Sequence, residues 1–272
     1  MIRLFHVSDL HFGREDKAAI AWFYDLVAAE LPDAVVMTGD LTMRARQREY
    51  AQGLEWLQAL GRPVTVEVGN HDLPYFNLFE RFFAPYARYR GIERMVEKPL
   101  DLPGVHIVPL KTTARAQWRL NWSKGYISRR ALDEALASIR EAPPGKLIFV
   151  ACHHPLIEPH TRMSAQTHRG AEALEALVAA GADAVLTGHV HDPFDIAHGV
   201  NGRTVRLIGA GTLSERTRTT PPSFNEIRVQ DGAFDVVCRT MTPEPDHVLT
   251  VEAPHKTEPV TSEAEVGESV TP

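Results

Sequence analysis

Five apolar runs of strand character, each closed by a short block of acid, amide or imidazole side chains, constrain this 272-residue chain more than anything else in it. Ile2 to Val7 runs into Ser8-Asp9-Leu10-His11, and Asp33 to Thr38 into Gly39-Asp40. Pro63 to Val68 runs into Gly69-Asn70-His71-Asp72. Lys146 to Cys152 runs into His153-His154-Pro155, and Asp183 to Thr187 into Gly188-His189-Val190-His191. Helical periodicity separates the first three. Lys17 to Glu30 places Ile20, Phe23 and Val27 on one face, and Gln47 to Leu60 does the same with Tyr50, Leu54, Leu57 and Leu60. Strand and helix in alternation predict a parallel sheet. Ligand sites in such sheets gather beyond the carboxyl ends of the strands, so blocks distant in sequence can meet at one rim.

The spacing within the blocks points the same way. In extended backbone, residues i and i+2 face the same side, so both members of Asp9-x-His11 and of His189-x-His191 can address one site. One such block is an ordinary polar strand end; five in series predict a shared centre. Its donors are oxygen and nitrogen without thiolate, which suits manganese, iron or zinc. By the same alternation Cys152 faces away from His153 and reads as a core thiol. His6, His106 and His198 lie in apolar or turn contexts and read as structural. His154, His160 and His168 stand near the blocks without an assigned role.

The remainder supplies further elements. Phe76 to Phe83 reads as a short aromatic helix, Val105 to Leu110 as a strand, and Arg129 to Arg140 as a helix capped by Ser128. Gly170 to Ala180 is helical, and Thr204 to Ile208, Ser223 to Val229 and Ala233 to Arg239 read as antiparallel strands. The Arg115 to Trp122 segment fits either a lid or a surface hairpin. Residues 243–272 hold seven acids and one lysine, so the formal net charge of −6 resides there and residues 1–242 are formally neutral. We therefore expect one domain over 1–242 and a disordered acidic tail over 243–272. A neutral body disfavours a broad nucleic-acid surface. Two cysteines in apolar runs, no signal-like N-terminus and no run near ~18 apolar residues predict a soluble cytoplasmic protein with no membrane association.

Taken together, Asp9-x-His11, Gly39-Asp40, Gly69-Asn70-His71-Asp72, His153 and Gly188-His189-x-His191 resemble the five signature blocks of the calcineurin-like metallophosphoesterases. The resemblance implies an α/β fold, a four-layer αββα sandwich of two mixed sheets, with a dinuclear metal centre at the strand ends. It implies Asp9, His11 and His191 as ligands of one ion, Asn70, His153 and His189 as ligands of the second, and Asp40 as the bridge. The implied cofactors are two divalent or mixed-valence ions, with Mn, Fe and Zn left open. It puts His71 where the family has a histidine that touches phosphate or protonates the leaving group, with Asp72 orienting it. Two ions ~3.5–4 Å apart can bind the phosphate, acidify a water to an attacking hydroxide and offset charge on the leaving oxygen.

The Ser8-Asp9-Leu10-His11 and Gly39-Asp40-Leu41-Thr42 blocks most resemble the class III cyclic nucleotide phosphodiesterases, and glycerophosphodiester hydrolases share the framework. The expected activity is hydrolysis of a cyclic nucleotide or other small phosphodiester. Met43-Arg44-Ala45 follows where many relatives have a glycine, which makes Arg44 a candidate substrate contact beside Asn70 and His71. Asp9-Leu10-His11-Phe12-Gly13 is also similar to the opening of nucleases of the double-strand-break repair type; the neutral body stands against that alternative. A protein-binding scaffold of the same fold is the non-enzymatic alternative, opposed by a full set of ligand positions.

Overall fold

The structure, a computed structural model, describes residues 1–74, 77–96, 100, 102–114, 123–159, 161–163, 165, 167–241 and 247–248. Its elements run β1 (Ile2–Val7), α1 (Lys17–Glu30), β2 (Ala34–Met37), α2 (Gln47–Ala59), β3 (Val64–Val66), α3 (Leu78–Phe83), α4 (Ala87–Val96) and β4 (Val105–Pro109). Then follow α5 (Arg129–Glu141), β5 (Leu147–Ala151), α6 (Gly170–Ala180), β6 (Ala184–Thr187), β7 (Phe194–Val200), β8 (Arg203–Gly209), β9 (Ser223–Gln230), β10 (Ala233–Thr240) and β11 (His247–Val248).

Two mixed sheets result. The first has the order β11-β10-β9-β1-β2-β3, with β1, β2 and β3 parallel; the second is β4-β5-β6-β8-β7, parallel except for β7. Alternate residues of each strand serve different layers, as the period of two requires. Leu4, Val36 and Ile227 of the first sheet meet Phe149, Leu186 and Ile208 of the second in an apolar interior between the sheets. Phe5, Val35 and Met37 point the other way, against Phe23 of α1 and Trp56 and Leu57 of α2. Val150, Cys152 and Val185 likewise face Leu132 of α5 and Leu174 and Leu177 of α6. The four layers are thus αββα, as expected, and Cys152 is a buried core thiol.

Asp16 caps α1 by accepting from the N–H groups of Ala18 and Ala19, and Ser128 caps α5 through Ala131 N–H. Glu226 of β9 is buried under three arginines, with Arg3 Nε at 2.9 Å, Arg228 Nε at 2.8 Å and Arg239 Nη1 at 2.9 Å. Arg3 and Arg239 also reach Glu30, so this network ties β1, β9 and β10 to the end of α1.

Four expectations change. β8 is not simply one of three antiparallel strands: it pairs antiparallel with β7 but parallel with β6, so it ends at the same rim as β6. β7 and α4 are additional elements. The aromatic helix begins at Leu78, capped by Asn77, and Phe76 falls outside the described residues. His247 and Val248 pair with Cys238 and Val237, while the rest of the expected tail, His160 and segment 115–122 fall outside the described residues. Among the described residues no helix is long and apolar enough to cross a membrane.

Candidate metal centre at the strand ends

β1, β2 and β3 of one sheet and β5 and β6 of the other deliver their terminal blocks to a single rim. Main-chain bonds lace the blocks together: Asp9 N–H to Gly39 O at 3.0 Å, His11 N–H to Asp40 O at 3.0 Å, and Gly188 N–H to His153 O at 2.9 Å. Two glycines permit this closeness. A Cβ on Gly69 would lie 2.3 Å from Asp40 N, and one on Gly188 would lie 2.6 Å from Asp9 Oδ2. Strain concentrates here as well. Of ten non-glycine residues with positive φ among the described residues, five are Asp9, His11, Asp40, His189 and His191. Each such backbone costs on the order of 1–3 kcal/mol, which the surrounding bonds must offset.

Each carboxylate has one oxygen fixed and one left facing inward. Asp9 Oδ2 accepts from His189 N–H at 2.8 Å, while Oδ1 stands 3.1 Å from His191 Nε2 and 3.6 Å from His11 Nε2. Asp9 Oδ1 is buried and receives no hydrogen bond. Asp40 Oδ1 accepts from His71 N–H at 2.8 Å, leaving Oδ2 3.8 Å from His11 Nε2 and 3.4 Å from His153 Nε2.

The imidazoles are aimed by main-chain carbonyls. His153 Nδ1–H donates to Thr38 O, His191 Nδ1–H to Arg216 O and His71 Nδ1–H to Met43 O, each at 2.8 Å. That arrangement turns Nε2 of His191 toward Asp9 and Nε2 of His153 toward Asp40, as partners of metal-binding histidines do, and leaves Nε2 of His71 facing Arg216. His11 Nε2 and His191 Nε2 lie 3.2 Å apart, and Asn70 Oδ1 lies 3.2 Å from His153 Nε2. Buried lone pairs crowded at such distances call for a proton or a cation among them.

The electrostatics agree. Burial opposes charge on Asp9 and Asp40, but the neighbouring imidazoles, His191 for Asp9 and His153 for Asp40, hold both below the ordinary carboxylate range. Burial also disfavours charge on His153, yet Asp40 outweighs it and lifts the imidazole to about 9. Burial dominates at His11, which is lowered, and at His189, which falls to about 3. Three groups of donor atoms lie within 4.8 Å of one another around these carboxylates: Asp9 with His11 and His191, Asp9 with Asp40 and His153, and His11 with Asp40 and His71. With the orphaned Asp9 Oδ1 among them, they fit a cation on chemical grounds.

Every expected ligand therefore reaches the rim, but the surroundings of His71 are not as expected. Asp72 does not orient the His71 ring. It accepts from Leu41 N–H (3.2 Å), Thr42 N–H (2.8 Å), Thr42 Oγ1 (3.0 Å) and Gly69 N–H (3.0 Å), and so ties the β2 and β3 loops together. Adjacency in sequence points Asp72 away from its neighbour; the Met43 carbonyl sets the ring instead. Burial and the nearby Asp40 push the Asp72 carboxyl up to about 7. Arg44 is exposed, with its main-chain N–H bonded to Glu49. Ala45, next to it, adopts a left-handed φ of 52°. The guanidinium that does reach the centre belongs to Arg216, whose Nη1 is 3.1 Å from His71 Nε2. No reading of the strand blocks finds it, because its loop follows β8.

The remaining histidines divide cleanly. His154 is buried beside His189 but has both nitrogens engaged, Nδ1 by Thr112 Oγ1 and Nε2 by Ser123 O, each at 2.9 Å. His6 bonds Thr38 Oγ1 inside the sheet interior, His106 bonds Ser138, His198 lies half-buried on β7, and His168 is exposed and stacked on Tyr126.

The calcineurin-like phosphoesterase family model matches residues 2–193. A probable cyclic nucleotide phosphodiesterase of Rhodococcus erythropolis is 26% identical over 214 residues, covering 69% of this chain and 64% of that protein. A glycerophosphodiester phosphodiesterase of Enterobacter lignolyticus is 36% identical over 81 residues, covering 25% of this chain and 29% of that protein. The matches thus span less than two thirds of the length of either curated relative. A solved dimetal phosphatase from Danio rerio shares the fold with a TM-score of 0.60 at 14% identity, covering 88% of this chain and 95% of its own.

Proposed function

This chain belongs to the calcineurin-like phosphoesterase family, and from that premise we propose that it is a metal-dependent phosphoester hydrolase that cleaves small phosphodiesters at a two-metal centre. One ion would be held by Asp9, His11 and His191 and the second by Asn70, His153 and His189, with Asp40 available to both. Bound there, the ions supply Lewis acidity toward a phosphate oxygen and make a water acidic enough to react near neutral pH. The observation that carries this reading is Asp40 itself. Its Oδ1 is fixed by His71 N–H, and its Oδ2 looks between His11 Nε2 at 3.8 Å and His153 Nε2 at 3.4 Å, one imidazole from each set.

The chain's own residues prepare the rest. The Thr38 and Arg216 carbonyls hold His153 and His191 with Nε2 toward the carboxylates, and the Met43 carbonyl fixes the His71 ring, so these groups need no reorganisation when substrate arrives. His71, half-buried at the edge of the cluster with its ring 4.8 Å from that of His11, is placed to meet the reacting phosphate. Cyclic nucleotides are the substrate class we favour, because the longest curated match carries that activity in its name and residues 1–242 are formally neutral. Manganese, iron and zinc all suit an Asp, Asn and His donor set.

A hydrolysis panel tests the proposal. Mn-loaded protein is given 2′,3′- and 3′,5′-cyclic nucleotides, glycerophosphodiesters, bis(p-nitrophenyl) phosphate, p-nitrophenyl phosphate and single-stranded DNA. We expect turnover of the small diesters and its loss on chelation. Monoester turnover alone would overturn the diesterase assignment, and no turnover after metal reloading would favour a scaffold.

A further inference from the structure

We propose that Arg216 grips the substrate phosphate beside His71, whose Nε2 aims the guanidinium. This rests on the diesterase reading above and adds to it a substrate contact that none of the five strand blocks contains. β8 runs parallel to β6, so the loop after Gly209 arrives at the rim where β6 ends. There it is fastened on both sides. Thr212 Oγ1 donates to Asp9 O at 2.6 Å, Asp16 N–H to Leu213 O at 3.2 Å and Glu215 N–H to Arg14 O at 3.2 Å. On the other side His191 Nδ1–H donates to Arg216 O at 2.8 Å, and Thr219 N–H to Asp192 Oδ1 at 2.9 Å. The main chain of Arg216 is therefore part of the support of His191, and its side chain starts from a fixed point.

The guanidinium is half-buried, with Nη1 3.1 Å from His71 Nε2 and 3.9 Å from the Met43 sulfur. Because His71 Nδ1–H donates to Met43 O, the Nε2 lone pair is free to accept from Arg216. Arg3 and Arg239 pair with Glu226, Arg88 with Glu80 and Arg206 with Asp195, while Arg62 and Arg203 bond main-chain carbonyls. Arg216 has no carboxylate partner among the described residues, and its Nε and Nη2 make no hydrogen bond there. A partly desolvated guanidinium without a counter-charge, at the mouth of a cluster built to hold cations, is stabilised by an anion. Its planar fork matches two non-bridging oxygens of a phosphodiester, which a single imidazole cannot do.

The test compares Mn-loaded wild type with R216A, R216K and H71A. Inorganic phosphate affinity is read by calorimetry, Mn content by elemental analysis, and kcat and KM on bis(p-nitrophenyl) phosphate. R216A should weaken phosphate about 10- to 100-fold at unchanged Mn content. R216K should recover only part of that, since it keeps the charge and loses the fork. H71A should weaken phosphate less than R216A does, and adding R216A to H71A should cost less than R216A costs alone. Wild-type phosphate affinity in R216A, or Mn loss in step with phosphate loss, overturns the proposal; should R216A not fold, R216K with wild-type affinity does the same. A wild type that turns over no diester would sink the diesterase reading, while the calorimetry still decides Arg216.

Discussion

Asp40 illustrates how one side chain can be both held and free. His71 N–H fixes Oδ1, which stops the carboxylate from rotating and leaves Oδ2 between the two sets of imidazoles. Asp40→Asn keeps the size and an acceptor for His71 N–H but removes the charge that a pair of cations requires. We expect it to lower Mn affinity and diester turnover at least ~100-fold, read by equilibrium dialysis and steady-state kinetics. Its fold should persist, because the main-chain lacing of Asp40 does not use the second oxygen. The candidate ligand positions stood out in sequence because acid, amide and imidazole side chains close apolar runs, with Asp9/His11 and His189/His191 two apart. The partners that aim them were not. Thr38, Met43 and Arg216 act through carbonyl oxygens, which every residue owns, so no residue type marks them. Asp72 misled for the opposite reason: it is conspicuous beside His71, yet its carboxylate is used up on the N–H groups of Leu41, Thr42 and Gly69.

Among elements, helices α1 and α6 follow the periodicity of their sequences to the residue, since Asp16 caps the first and Gly181 ends the second. β7 was hidden because Asp195, His198 and Gly199 interrupt its apolar pattern; as an edge strand it can carry them, and Arg206 of β8 neutralises Asp195. The direction of β8 cannot be read from its own residues, and with it goes the location of Arg216, since only strand polarity decides which rim a loop joins. β9 makes a separate prediction. Burial alone would raise the Glu226 carboxyl, but hydrogen bonds from Arg228, Arg3 and Arg239 outweigh it and hold it at about 2. A carboxyl lowered on folding stabilises fully above its unfolded value near 4.5, and that contribution fades as pH falls toward about 2. Glu226→Gln should therefore cost on the order of 2 kcal/mol at pH 6. The gap between wild type and variant in thermal melts should narrow steadily from pH 4.5 downward. A gap independent of pH would show that the ion pairs contribute nothing.

Across the whole molecule, the centre is assembled from both sheets. Asp9, His11, Asp40 and Asn70 follow strands of the first, and His153, His189 and His191 follow strands of the second. Ions held there would fasten the two layers that otherwise meet through Leu4, Val36, Phe149 and Leu186. Metal should consequently stabilise the fold, by about 2.7 kcal/mol at a free concentration a hundred times the dissociation constant. Because Asp40 raises His153 to about 9, the metal-free protein holds a proton there at neutral pH that loading must release. Mn affinity should then fall as pH falls, with proton release measurable by calorimetry in buffers of different ionisation enthalpy. The most direct measurement is anomalous diffraction from Mn-loaded crystals. The account predicts two peaks ~3.5–4 Å apart, both within bonding distance of the Asp40 carboxylate, one beside His11 and His191 and the other beside Asn70 and His153. A single peak, or two that do not share Asp40, would contradict it.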